Sequence, residues 1–277
     1  MSVLPDPQDD NDLVYRQRRP VRLWHWLNAF AVVVMLMSGL MIFNAHPRLY
    51  WGQYGANREA PWLEIGSTDT AGFLRLGPVT IPTTGVLGLS GGEARAFPAL
   101  VTIPSGYDLA AARQWHFAFA WLLVVPGIAF WLWGFAVRHV QRDLAPTRAE
   151  LAPRNLWQDI KDHARLRFHT GEAARRYNIL QKLSYVGVIF GLLPAMVLTG
   201  LTMSPGIDAA WPWLLDLFGG RQSARSIHFI CASALVGFIV VHLAMVLLAG
   251  PLNEVRSIIT GWYRLPRDEA PRVEEAA

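Results

Sequence analysis

The sequence predicts an all-α fold set in a lipid bilayer: a four-helix integral-membrane bundle with one long loop on its outer side. Three observations predict it. Four apolar runs, roughly Leu23–Phe43, Gln114–Val137, Leu183–Met203 and Ser226–Ala249, each reach the length of about 20 residues that crosses about 30 Å of hydrocarbon at about 1.5 Å per residue. The composition, 52% hydrophobic with only 17% charged residues and 12 Trp, lies outside that of an ordinary soluble domain. The basic residues are unevenly distributed. With four spans, residues 1–22, 138–182 and 250–277 share one side and hold 18 of the 25 Lys and Arg; residues 44–113 and 204–225, of nearly equal total length, hold 7. The basic side is expected to be cytoplasmic. The chain therefore reads as a multi-pass protein of the bacterial inner membrane with both termini inside. This charge needs no nucleic-acid partner.

Taken in order, residues 1–22 form a cytoplasmic tail, of which 1–15 are polar, acidic and expected to be disordered. The bundle occupies 23–249. Its first run is too long for a signal-peptide core, and no small-residue cleavage site follows it, so it is read as retained. The outer loop 44–113 is rich in Gly, Pro and Thr; Val79–Ile81, Val86–Leu89 and Leu100–Ile103 read as short strands or turns. A connection this long in a compact protein is commonly a docking or functional surface. In the inner loop 138–182, Leu156, Trp157, Ile160, Ala164 and Phe168 recur at helical spacing among basic residues. That pattern predicts an amphipathic helix on the inner leaflet, with His163 and His169 at its wet surface. Outer residues 205–224 suggest a short interfacial helix anchored by Trp211. Pro126 and Pro194 lie mid-span and are expected to kink their helices. Gly39, Gly127, Gly134, Gly187, Gly191, Gly200 and Gly237 permit close approach of a helix or a flat macrocycle. Residues 250–277 form a cytoplasmic C-terminal tail.

Histidine carries the chemistry. Arg22-Leu-Trp-His25, Arg113-Gln-Trp-His116 and Arg225-Ser-Ile-His228 each stand where an apolar run begins, and His242 lies deeper in the run of His228. Histidines inside membrane helices are functional candidates. His228 and His242 are separated by 14 residues, or about 21 Å of rise. The rotation of about 1400° falls about 40° short of four turns, so both face one direction from opposite ends of one helix. Alternating helix direction places His25 at the level of His242 and His116 at the level of His228. Each pair can supply two axial nitrogens to one iron, which predicts two haems stacked along the membrane normal about 20 Å apart. The single cysteine, Cys231, excludes a Cys-x-x-Cys-His attachment and a cysteine-ligated cluster, so the haems are expected to be non-covalent, b-type and bis-His. Arg22, Arg113 and Arg225, one turn nearer the surface, are candidates to pair with propionates; snorkelling anchors are the alternative. His46 and His139 lie just outside the spans, lack a depth-matched partner and are left out as ligands. The Arg-x-x-His recurrence is the one repeat this reading finds.

Arg22-Leu-Trp-His25-Trp26, the two histidines 14 apart in the fourth run, and Tyr177-Asn-Ile-Leu-Gln-Lys182 before the third resemble the prokaryotic di-haem cytochrome b family. That family includes the gamma subunit of formate dehydrogenase, the cytochrome b of nickel–iron hydrogenases and the thiosulfate-reductase type. The resemblance covers about residues 16–262, and His46-Pro-Arg-Leu-Tyr-Trp-Gly-Gln-Tyr-Gly55 most resembles the thiosulfate-reductase branch. It implies a respiratory electron-transfer subunit, His25/His242 holding the inner haem and His116/His228 the outer one. It also implies a quinone site near the start of the third run, with Asn178 at a contact position and Lys182 beside it; a helix cap at Asn178 and a snorkelling Lys182 read equally well. The 70-residue outer loop departs from the family pattern. The partners implied are the bilayer, quinone and a periplasmic or membrane-attached redox subunit, molybdenum-containing in one version.

No second catalytic constellation is present: there is no His-Glu-x-x-His, phosphate loop or acidic metal cluster. The chain is expected to serve as one subunit of a membrane oxidoreductase, moving electrons between quinone and its partner. A stand-alone b-type oxidase or reductase acting on a small diffusible species is the first alternative. A haem-free transporter or anchor is the second, although paired broken helices at mid-membrane are not evident.

Overall fold

A computed structural model describes residues 13–55, 59–165 and 177–265. Four helices are long and apolar enough to cross a membrane: α1 (Arg19–Asn44), α2 (Leu109–Ala136), the span Ile179–Thr202, and α8 (Arg221–Leu248). They form the four-helix membrane bundle. Each begins a few residues before the apolar run expected of it, and in α1, the third span and α8 the added first turn takes in polar or basic residues that need no hydrocarbon. Leu23, Phe30, Val33, Trp121, Leu132, Val240 and Leu247 are exposed on these helices, as suits side chains solvated by lipid.

Local sequence sets the helix ends. Asp108 caps α2 by accepting the Ala111 N–H at 2.9 Å. The third span opens on a capping box in which Asn178 accepts from the Gln181 N–H and the Gln181 side chain accepts from the Asn178 N–H. This span is α-helical over α4 (Ile179–Val186), widens to a π turn at Gly187–Leu192 and resumes as α5 (Leu193–Thr202). The irregularity expected at Pro194 takes that form. Pro194 offers no N–H to the ladder, and the wider turn just ahead of it absorbs the break. Pro126, by contrast, lies inside an uninterrupted α2.

By contact the chain forms two compact units, Met1–His25 with Ala129–Phe190 and Gly237–Ala277, and Trp26–Ile128 with Gly191–Val236. In the first, β1 (Leu13–Tyr15) pairs antiparallel with β8 (Trp262–Arg264). Residues 13–15, expected to be disordered, are thus a strand, because a partner 250 positions away supplies the ladder that no local pattern announces. Between them, α9 (Pro251–Thr260) starts on a proline after Gly250 and ends at Gly261, whose φ of 96° closes the helix. Arg16 lies over the rings of Tyr263 and Tyr177, 4.6 and 5.3 Å from their centroids, and the Tyr177 hydroxyl donates to Gln17 Oε1. The amphipathic helix appears as α3 (Pro153–Ala164), with Trp157 and Ile160 exposed. Phe168 and His169 lie outside the described residues.

In the second unit the outer loop folds. Strands β2 (Arg48–Leu49), β3 (Leu63–Ser67), β4 (Gly72–Leu76) and β5 (Val79–Pro82) make one antiparallel sheet in that order; β6 (Gly88–Ser90) and β7 (Glu93–Arg95) make a hairpin across Gly91-Gly92, both at positive φ. The helical bundle therefore carries a β layer, a larger ordered element than the short strands expected. Leu49, Leu63, Ile65 and Ala96 bury their side chains with Phe43, and Phe229 packs against them. Glu64, buried on the sheet, accepts from both Arg48 and Arg75 at 2.7 Å. Two short helices follow the third span, α6 (Pro205–Ala210) and α7 (Pro212–Leu217), where one was expected, with Trp211 and Trp213 exposed.

Candidate cofactor site

In the second unit, His116 of α2 and His228 of α8 face each other with ring centroids 6.4 Å apart and planes inclined at 60°. In the first, His25 of α1 and His242 of α8 stand at 6.4 Å and 58°. An imidazole nitrogen binds a metal at about 2.0–2.1 Å, and its ring centre lies about 1.1 Å behind it; two imidazoles on opposite sides of one metal therefore have centres about 6.3 Å apart. Both pairs meet that spacing.

The ring nitrogens in the second unit are oriented by α1 and α5. His116 Nδ1 lies 3.1 Å from Ser38 Oγ and 3.1 Å from the Met35 carbonyl. A carbonyl only accepts, so Nδ1 carries the proton and Nε2 presents its lone pair. Ser38, fully buried, donates its own proton to the Val34 carbonyl at 2.8 Å and so is left to accept from the ring. His228 Nδ1 lies 3.0 Å from Thr199 Oγ1, and the ring also bonds the Met196 backbone; Thr199, also fully buried, donates to the Ala195 carbonyl at 2.6 Å. A Cβ added at Gly39 or Gly200 would stand 3.4 or 3.5 Å from the Cε1 of the same histidines, so each ring leaves room for a methyl there and for nothing larger. In the first unit His242 stacks on Phe238 at 5.7 Å, and Trp24, next to His25, stacks on Phe130 at 4.2 Å.

The remaining site residues have acquired further partners. Arg225 donates to the carbonyls of His46 and Arg48; Arg22 donates to the Ile259 carbonyl at 2.6 Å; Arg113 lies over Phe117. Arg225 thus holds the start of the outer loop onto α8, with help from Ser226, which donates to the Tyr50 carbonyl and accepts from Trp62 Nε1. Lys182 is buried and donates to Glu150 Oε1 at 2.7 Å. It does not snorkel, because an inner-loop carboxylate holds its ammonium. The Glu150 carboxyl is held below its usual pKa chiefly by that bond. His139, left out as a ligand, is buried against Trp133 with Nδ1 2.6 Å from Asp143. Among the described residues no group of three or more His, Cys, Asp or Glu forms a metal site. Ser38 and Thr199 were missed from sequence because a lone hydroxyl in an apolar run carries no signal. The signal lay in their shared surroundings, Met35-Leu-Met-Ser38-Gly39-Leu and Met196-Val-Leu-Thr199-Gly200-Leu, a second repeat beyond the Arg-x-x-His recurrence.

Two imidazole pairs of matched spacing, one of them with its Nδ1 atoms turned to hydroxyls and a glycine facing each ring, fit a flat, doubly ligated metal macrocycle. Residues 16–261 match the family model for prokaryotic cytochrome b561. The chain belongs to that family. This cytochrome b561 relative is 29% identical to a putative protein-methionine-sulfoxide reductase subunit, YedZ1, of Azospira oryzae, over 82% of this chain and 88% of that one. It is 23% identical to a probable Ni/Fe-hydrogenase B-type cytochrome subunit of Azotobacter vinelandii, over 93% and 91%, and 25% identical to the putative cytochrome YdhU of Escherichia coli, over 92% and 77%. No solved structure matches it. Membership makes the chain a multi-pass b-type cytochrome of membrane electron transfer, for which haem b is the implied cofactor.

Proposed function

We propose that this cytochrome is the membrane subunit of a redox complex and carries electrons between the quinone pool and a partner on the outer face. Two b-type haems, each held by two histidines, would supply the one-electron carriers. The observation that carries this reading is the recurrence of one geometry in both units: His25/His242 and His116/His228 share a 6.4 Å separation. The chain's own part is to present four imidazoles in two facing pairs, His116 and His228 with Nδ1 turned to a hydroxyl, to exclude water with apolar helices, and to set arginines one turn from three of the four. Arg22, Arg113 and Arg225 remain the candidates for propionates, since a guanidinium has five donors and the bonds described engage only some of them. The inner, basic side is taken as cytoplasmic. Asn178 caps the third span in the region where quinone is expected, and Lys182 would contribute there through its ion pair with Glu150. The folded outer loop supports a dock for the partner. Two of the relatives are themselves named as subunits, one of a reductase and one of a hydrogenase, which favours a complex over a stand-alone oxidase.

A pyridine haemochrome assay on detergent-purified protein tests the ligand set. The wild type should hold two equivalents of protohaem per chain, and His25→Ala or His242→Ala should remove one and leave the redox wave that His116→Ala or His228→Ala abolishes. A substitution that retains both haems would refute that residue's assignment. Co-purification with an outer-face redox subunit, and reduction of both haems by a quinol, test the partner and the donor.

A further inference from the structure

The second unit contains one device twice. On α1, Met35-x-x-Ser38-Gly39 lies against His116 of α2; on α5, Met196-x-x-Thr199-Gly200 lies against His228 of α8. The correspondence extends to atoms. Each hydroxyl donates to the carbonyl four residues back, at 2.8 Å from Ser38 and 2.6 Å from Thr199. Each also lies near the carbonyl three residues back, at 3.2 and 3.3 Å. Each stands 3.0–3.1 Å from the Nδ1 of a histidine whose ring also bonds the backbone of the methionine. Each is followed by the glycine that faces the ring. An Arg-x-x-His stands on the partner helix both times.

Packing alone does not require this. Two unrelated helix pairs, α1 with α2 and α5 with α8, converge on a hydroxyl with its proton already committed to the backbone and its lone pair aimed at an imidazole. We infer that Ser38 and Thr199 are the positioning residues of the outer cofactor: as paired acceptors for Nδ1–H they hold both ligands in the tautomer that frees Nε2, and they set the cofactor's reduction potential. The proposal rests on the ligand assignment of the preceding section. An accepted Nδ1–H hydrogen bond makes an imidazole a stronger donor and favours the oxidised metal. Removing a hydroxyl therefore raises the potential, in part only, because the methionine carbonyl still accepts.

Potentiometric titration of the purified protein, followed in the visible α band with low-temperature EPR of the oxidised form, tests this. Ser38→Ala and Thr199→Val should retain two haems, move the same one of the two redox waves to higher potential and shift one low-spin EPR signal, leaving the other wave in place. The double substitution should move that wave further. Thr199→Ser, Ser38→Thr and the exchange of the two should restore the wild-type wave, which a merely space-filling role would not predict. If Thr199→Val fails to accumulate, Ser38→Ala decides alone, since it deletes one oxygen at the duplicate position. Two waves with neither moved would overturn the proposal and leave the ligand assignment standing; different waves moved by the two substitutions would overturn the proposal and the pairing of His116 with His228 together. A wild-type protein without haem would overturn both.

Discussion

Gly200 limits the space beside the His228 imidazole. A Cβ there would stand 3.5 Å from its Cε1. Alanine there makes ordinary contact, whereas Gly200→Val forces the imidazole outward. Overpacking of this kind costs about 1–3 kcal/mol, and it is aimed at the ligand rather than the bundle. The expected result is loss of one haem from the spectrum with the helical circular dichroism retained. Retention of both haems with wild-type potentials would show that the ring does not lie beside that position. Lys182 and Glu150 make a second residue-scale case. Its bond to Lys182 holds Glu150 below the ordinary carboxylate value of 4.5, so in the folded protein it binds its proton less readily than in the unfolded chain. The stabilisation is present above about pH 4.5 and is lost as pH falls through the depressed folded value. Because the Glu150 side chain is 35% exposed, the contribution is at most about 1 kcal/mol. Melting of Glu150→Gln in detergent should lie below wild type at pH 7 and converge with it as the pH falls below 4.5.

At the scale of elements, the outer loop is stitched to α8 by a short run of polar residues. Gly52 accepts from the Gln222 and Ser223 N–H groups and donates to Ser223 Oγ, Ser226 holds Tyr50, and Arg225 holds His46 and Arg48. The first turn of α8 thus anchors the sheet, and the first strand β2 is the element anchored. Hydrogen bonds to a charged group contribute about 1.5–3 kcal/mol. Arg225→Leu should therefore leave the helices intact but speed proteolysis within residues 46–62, measured against wild type by timed digestion and mass spectrometry. Cleavage at the wild-type rate would mean the arginine does not hold the loop. Of the short apolar pieces read as strands or turns, Val79–Ile81 lies in β5 and Leu89 in β6, as the Gly and Pro around them suggested, whereas Leu100 lies in a 3-10 turn, Ala99–Val101. The pairing of β2, β3, β4 and β5 into one sheet was not legible, since β2 and β3 are separated by residues whose pattern says nothing of pairing, and the Glu64 carboxylate that joins Arg48 to Arg75 crosses strands.

Across the whole molecule, four spans, their order and the four histidines could be read from the chain alone. Hydropathy over about 20 residues and the helical repeat are local properties, so the length of each apolar run and the phase of His228 against His242 require no knowledge of neighbours. What only the tertiary structure decided is where polar side chains turn. Ser38 and His116 are 78 positions apart, Lys182 and Glu150 are 32 apart, and Arg225 reaches His46 across 179. A guanidinium one turn from a histidine can face a ligand or a carbonyl with equal ease on sequence grounds, and a strand at residues 13–15 exists only because residues 262–264 lie alongside. Burial demands that each such group find a partner, but which partner depends on packing that brings distant segments together, and that information is not local to any one run of the chain.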